Sequence, residues 1–316
     1  MGDTMITHRC VGGTGFPPFA VAVALALAAA NTAGLGCDRG AGDGGTDGGF
    51  DAGSDSGGLL CTCEEALVDV SSVPPWYPDK IVEDAAAYDA ARAALDALLA
   101  GQHTSPDEGY VYPITHTVRF CFTIEPMPLP PGVDLEDRAR AFIDEYAALL
   151  GSTCLDLAQV GWNWTPPTGP PYDAVLAGYA QDYCGLYMND WAHEYDGGLG
   201  LTIRPDGTLR YVWSRLVPLR RIPSQCLLSP VDLREGINGE VLDHEGMCPF
   251  EIAVDTDVSF LDEQMIAMRV GSTLEYRRVW RASVYQWLEE CEIEGMWEIL
   301  VDCLTGEMVK VRDFQI

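Results

Sequence analysis

The chain has 316 residues and carries 48 aspartates and glutamates against 19 lysines and arginines, a formal net charge of −29. Such an excess of acid repels phosphate backbones and anionic headgroups, which argues against nucleic-acid binding and against polybasic membrane attachment. Hydrophobic residues make up 47% of the chain, enough for a core, and eleven cysteines point to an oxidising compartment.

The first elements concern export. Arg9 is the lone lysine or arginine of residues 1–15, and Ala20 to Ala30 reads AVAVALALAAA without interruption. Eleven helical residues at ~1.5 Å each fall short of a hydrocarbon core ~30 Å thick, so the pattern predicts the apolar region of a signal peptide over 1–36, not a membrane span. Leu35-Gly36-Cys37 resembles a bacterial lipobox, which implies lipid attachment at Cys37 and a place in the cell envelope, at the outer membrane or the periplasmic face. The pattern departs from the usual one, with Gly34 where the family has leucine. Residues 37–60 then form a spacer in which Asp43, Asp47, Asp51 and Asp55 recur among glycines. A flexible coil of about 21 such residues spans roughly 25 Å, enough to hold a domain clear of a surface. The run Asp55-Ser56-Gly57-Gly58 lacks triad partners, and the four-residue Asp period fits no calcium loop, so both are read as solvated spacer.

Three segments follow, 61–132, 133–222 and 223–316. In the first, Val82 to Ala100 is predicted helical, with Tyr88, Leu95, Leu98 and Leu99 on one face and Gly101 at the stop, and Tyr110 to Ile124 reads as strand. In the second, Asp134 caps a helix whose Leu135, Ala139, Phe142, Ile143, Tyr146, Leu149 and Leu150 make one apolar stripe ending at Gly151. Leu199, Leu201 and Ile203, the Asp206-Gly207 turn, and Leu209, Tyr211 and Trp213 read as a hairpin. In the third, Ser229 and Pro230 open a helix that Leu233, Ile237 and Val241 continue, although Gly236 and Gly239 each weaken it by about 1 kcal/mol. Strands are predicted at 274–286, 296–303 and 308–312. The expected class is α+β: antiparallel sheets with helices packed on one face, built from helix-then-hairpin units.

The segments ARAFIDEYAALLG (139–151), GLTIRPDGTLRYV (200–212) and LVP (216–218), in that order, resemble thermolysin-type propeptides. SPVDLRE (229–235), YRRVWRASV (276–284) and WEILVDCLTGEMV (297–309) are similar to the PepSY domain that ends those propeptides, with Asp302, Thr305 and Gly306 matching its final strand, Asp, Thr-Gly turn and returning strand. The resemblance covers about residues 134–314. It implies a domain that folds alone and assists and inhibits a secreted zinc metalloprotease. No HExxH segment follows before Ile316, so it implies here a free-standing module whose protease partner acts in trans.

After Cys37 nine cysteines remain, which suggests four disulfides and one free thiol. Cys291 with Cys303 and Cys226 with Cys248 are the pairings local spacing suggests, with Cys154 and Cys184 as further candidates. Cys61-Thr62-Cys63 lacks a second pair for a zinc site. His193-Glu194 and His244-Glu245 resemble half of a zinc-protease motif, but the second histidine is replaced by Gly197 and Cys248, and His103 and His116 stand alone. The acid pairs Asp255 with Asp257 and Glu289 with Glu290 are expected on so acidic a surface. No catalytic residue, metal or cofactor is therefore assigned. Trp162 and Trp164, before the proline-rich 165–171, are the candidate binding surface, against the plainer reading that they cover a core.

Overall fold

The computed structural model describes residues 60–102, 109–122, 126–165, 174–188, 195–244, 248–289 and 291–314. The expected signal peptide over 1–36, Cys37 and the Gly/Asp-rich residues up to 59 lie outside the described residues. The described residues, Leu60 to Phe314, belong to one compact unit.

The fold is mostly β, which corrects the α+β expectation: seventeen strands and five helices are found among the described residues, and no helical layer covers a sheet face. One antiparallel sheet has seven strands. Its order is β3 (Gly109–Val111), β4 (Val118–Cys121), β10 (Thr208–Ser214), β9 (Gly198–Ile203), β7 (Ala174–Gln181) and β6 (Leu157–Thr165), and β5 (Met127–Pro128) also pairs with β10. A second sheet runs β17 (Met308–Phe314), β16 (Ile293–Asp302), β15 (Thr273–Leu288), β14 (Asp257–Val270) and β8 (Tyr187–Met188), with β2 (Asp79–Val82) added along β15. Two small pairs complete the β structure, β1 (Leu67–Val68) with β11 (Ile222–Pro223) and β12 (Val241–His244) with β13 (Cys248–Glu251). Pairing crosses the segment boundaries read from the sequence, since β2 joins β15 and β8 joins β14.

The sequence overstated the helices for local reasons. Helix α1 (Cys63–Ala66) is a single turn, capped by Thr62 and Glu65. Helix α2 (Ala85–Gly101) starts later than Val82, because Val82 ends β2 and Asp84 provides the cap, accepting from the amides of Ala86 and Ala87. The stripe from Leu135 to Leu150 is interrupted at Tyr146 into α3 (Leu135–Glu145) and α4 (Ala147–Leu150), and Gly151 closes it at φ 75°. The third helix shrinks to α5 (Pro230–Gly236): Gly236 ends it, Gly239 takes φ 87°, and Val241 lies in β12. Glycine favours such an exit because it enters the left-handed region without steric cost.

The buried residues explain why so many strands went unread. Met265, Ile266 and Ala267 of β14 are all buried, so that strand shows no alternation there. In β7, AVLAGYAQ is small and apolar on both faces. Such runs read as neither period. The main core gathers Val118, Phe120, Tyr179, Leu199, Leu201, Ile203 and Val212 from the seven-stranded sheet, joined by Leu95, Leu99, Ala139, Phe142, Ile143 and Leu150 from three helices.

Four disulfides join Cys61 to Cys154, Cys63 to Cys184, Cys226 to Cys303 and Cys248 to Cys291. Cys121 is disulfide-bonded as well. This corrects the suggested pairings of Cys291 with Cys303 and Cys226 with Cys248, and also the expected free thiol, because all the cysteines from Cys61 to Cys303 are bonded. Cys291 precedes β16 and Cys303 follows it, and ten strand residues hold them about 33 Å apart. Sequence proximity misled because the intervening chain is extended rather than folded back.

Candidate functional site

The residues matching the PepSY signature form a fastened turn. Gly306 at φ 77° lets the chain reverse between β16 and β17, and its amide donates to the Asp302 carbonyl at 2.8 Å. The Asp302 side chain is wholly buried. Oδ1 accepts from the amides of Leu304 at 2.9 Å and Thr305 at 3.1 Å, and Oδ2 accepts from the Tyr77 hydroxyl at 2.9 Å and Arg277 Nη1 at 3.1 Å. Four donors occupy both oxygens, so this carboxylate holds a turn and has no lone pair turned to a substrate.

A network of charge extends from it. Arg277 also donates to Glu307 at 2.9 Å and to Glu275 at 2.9 Å, and Lys80 reaches the other Glu275 oxygen at 2.7 Å. Burial works against the Arg277 charge, but the hydrogen bonds of Glu275 and Glu307 and the Asp302 charge outweigh it and raise its pKa. Burial likewise opposes the Glu275 charge, yet Lys80 and Arg277 hold its pKa below the ordinary value. The Tyr77 hydroxyl is pushed up by burial first and by Asp302 second. Nearby, Asp79 accepts from the Arg221 amide at 3.0 Å and Arg220 Nη2 at 3.2 Å, and Arg278 is paired with Glu263 while donating to the Pro223 carbonyl at 2.9 Å. The segment 77–82 is thereby strapped across the second sheet.

The other singled-out residues are scattered. Trp162 and Trp164 lie on β6, an edge strand, in register with Ala177 and Val175, both of which are buried. His244 pairs across strands with Cys248, whose sulfur is bonded to Cys291 and so is not a thiolate ligand. His116 sits at φ 58°, and burial lowers its pKa against the opposing pull of Asp84. His103, His193, Glu194, Glu245 and Glu290 lie outside the described residues. Asp255 precedes β14, Asp257 begins it, and Glu289 follows β15, all exposed. Among the described residues no three metal-ligating side chains converge.

Sequence reasoning passed over Tyr285 and Trp287 on β15, which are 42% and 51% exposed. The strand alternates, with Val284 and Leu288 buried in the opposite phase. The period was visible, but the sequence does not say which of the two faces is covered.

No family model matches the chain, and no curated protein matches it. Among solved structures, the C-terminal domain of Bacillus megaterium YpeB is similar over 74% of this chain and 100% of its own, with 12% identity and a TM-score of 0.24. An uncharacterized protein from Eubacterium rectale is similar over 58% of each chain, again with 12% identity and a TM-score of 0.24. Superpositions at that level carry no argument about architecture or activity.

Proposed function

We propose that this is an exported, lipid-anchored envelope protein whose folded unit is a non-catalytic binding module for a secreted metalloprotease acting in trans. The observation that carries the reading is the β16–β17 turn, in which Asp302, Thr305 and Gly306 stand where the propeptide resemblance requires them. The apolar run before Leu35-Gly36-Cys37 and the Gly/Asp spacer support export and tethering, and four disulfides fit an oxidising compartment. The test is a titration of the oxidised protein against the zinc metalloproteases of its own secretome, following inhibition and complex formation together. Stoichiometric inhibition or a stable complex is expected. Absence of both at high concentration sinks the protease link.

A second reading keeps the anchored module and drops the protease: a structural or interaction lipoprotein. The exposed Tyr285 and Trp287 favour it, because nothing in the propeptide resemblance calls for them. Under that reading capture of a partner survives when no protease binds.

A further inference from the structure

Two exposed aromatic side chains next to each other on one strand face make a contact surface, because Trp and Tyr bury a large area at interfaces. Of the tryptophan side chains described, Trp297 is buried, Trp76, Trp213 and Trp280 are half-buried, and Trp287 is exposed. Tyr285 lies two residues away on the same face of β15. The hairpin that presents them is held from behind and at its tip. Trp297, on the reverse face, stacks on Phe250 with ring centroids 5.3 Å apart, and the disulfide from Cys291 to Cys248 ties the β15–β16 turn to β13. A surface fixed in this way loses little conformational freedom on binding, and exposed Trp and Tyr are the side chains that dominate interface energetics.

The surroundings specify the charge of the partner. In register, Trp287 faces Glu294, and Tyr285 lies between Asp257 and Met296. The turn adds Glu289 and Glu292, both exposed. The hydrogen bond to Glu294, with its charge, raises the Tyr285 pKa. Farther along this face Arg281 Nε donates to Asp262 at 2.7 Å, Arg312 stands opposite Glu298, and Lys310 lies opposite Leu300, away from Trp287. Aromatic faces rimmed by carboxylates attract ammonium and guanidinium groups. On a chain of net charge −29, the complementary surface is basic.

We propose that the Tyr285–Trp287 face of the β15–β16 hairpin is the docking surface for a basic polypeptide, which lays a lysine or arginine side chain over Trp287 and against Glu294. This rests on the binding-module reading and adds to it the surface and the charge of the partner.

The test uses the whole oxidised protein and a lysine octapeptide as probe, titrated at physiological ionic strength. Both Trp287→Ala and Tyr285→Ala leave the net charge unchanged, so non-specific attraction to the acidic chain is the same in each protein. The double variant is expected to bind at least about ten-fold more weakly. Glu294→Gln is expected to bind about three-fold more weakly with a shallower salt dependence. Trp287→Phe should keep most of the affinity, and the Trp287 indole N–H resonance should shift on addition of peptide. Equal affinity of the double variant and the parent protein, or no binding by the parent, overturns the proposal. Failure of the zinc proteases to bind while the peptide contrast stands removes the protease link and leaves this surface. A protease that binds the double variant as tightly as the parent removes this surface and leaves the protease link.

Discussion

Around the seven-stranded sheet, side chains from seven strands and three helices meet in one apolar cluster. Around the six-stranded sheet, buried residues divide among several smaller clusters, fastened by Asp302, Arg277, Arg278 and Glu263 and by disulfides at Cys303 and Cys291. The two hairpins of the propeptide resemblance show the contrast in small. The β9–β10 turn is buttressed by Arg138, which donates to the carbonyls of Leu129, Pro130 and Gly207 from outside the sheet. The β16–β17 turn closes on a carboxylate buried within it. One region is thus held by a single apolar cluster, and the other by smaller apolar clusters joined by polar contacts that must all be present.

Removing one member of each buttress measures that contrast most directly. Asp302→Ala takes an acceptor from Arg277, from the Tyr77 hydroxyl and from two amides in a buried site, and a loss of about 3–5 kcal/mol in urea unfolding is expected. Arg138→Ala removes hydrogen bonds from carbonyls closer to water, and about 1–2 kcal/mol is expected. Similar losses in the two variants would erase the distinction between the regions. Replacing both Cys226 and Cys303 by alanine opens a cross-link between residues separated by 77 in sequence. Its cost is expected at about 2–4 kcal/mol, read as a lower urea midpoint.

The same contrast explains what could be read from the chain. Helix α2, helix α3 and the β9–β10 hairpin were legible because their buried residues keep one period and local groups mark an end of each, Gly101, Asp134 and the Asp206-Gly207 turn, while the cap at Asp84 was missed. The β16–β17 turn was legible at Thr305 and Gly306, yet its fastening was not, since Tyr77 lies 225 residues from Asp302. Cysteine partners were unreadable for the same reason, the four separations running from 43 to 121 residues. Strand β14 hides its period where both faces are covered, and α5 was overextended because its two glycines count for less in a hydrophobic pattern than in a backbone. For the candidate surface the alternation at Tyr285 and Trp287 was present, and only the fold shows which face is left uncovered.

Each sheet also seats a tryptophan over a glycine, which gives a smaller and closely matched test. A Cβ on Gly200 would lie 2.2 Å from Nε1 of Trp213, and a Cβ on Gly295 would lie 2.1 Å from Cη2 of Trp297. Trp213 is half-buried, with Arg215 stacked on it at 5.1 Å, so part of its ring already meets solvent. Trp297 is fully buried, stacked on Phe250 and donating to the Asp243 carbonyl at 3.3 Å. Gly295→Ala is therefore expected to cost about 2–3 kcal/mol and Gly200→Ala about 1 kcal/mol. Thermal or urea unfolding of the two variants side by side checks the order, and the reverse order would mean that the second region yields more readily than its close contacts imply.

The smallest effect expected is a difference in acid sensitivity. Glu275 is buried beside Lys80 and Arg277, and its folded pKa lies below that of an ordinary glutamate. In the unfolded chain it titrates near pH ~4.3. Below that pH the unfolded chain takes up a proton that the folded protein still refuses, so the stability Glu275 contributes is complete above the unfolded pKa and disappears as pH falls through the folded one. Glu275→Gln should lower stability at neutral pH and make the decline between about pH 5 and pH 3 shallower than in the parent, as read from urea midpoints at each pH. The apolar region offers a control, because Phe142→Ala removes only packing and should lower the whole profile without changing its slope. Parallel profiles for the parent and Glu275→Gln would place the acid response elsewhere, and the polar fastening of the six-stranded sheet would then have no distinct signature in pH.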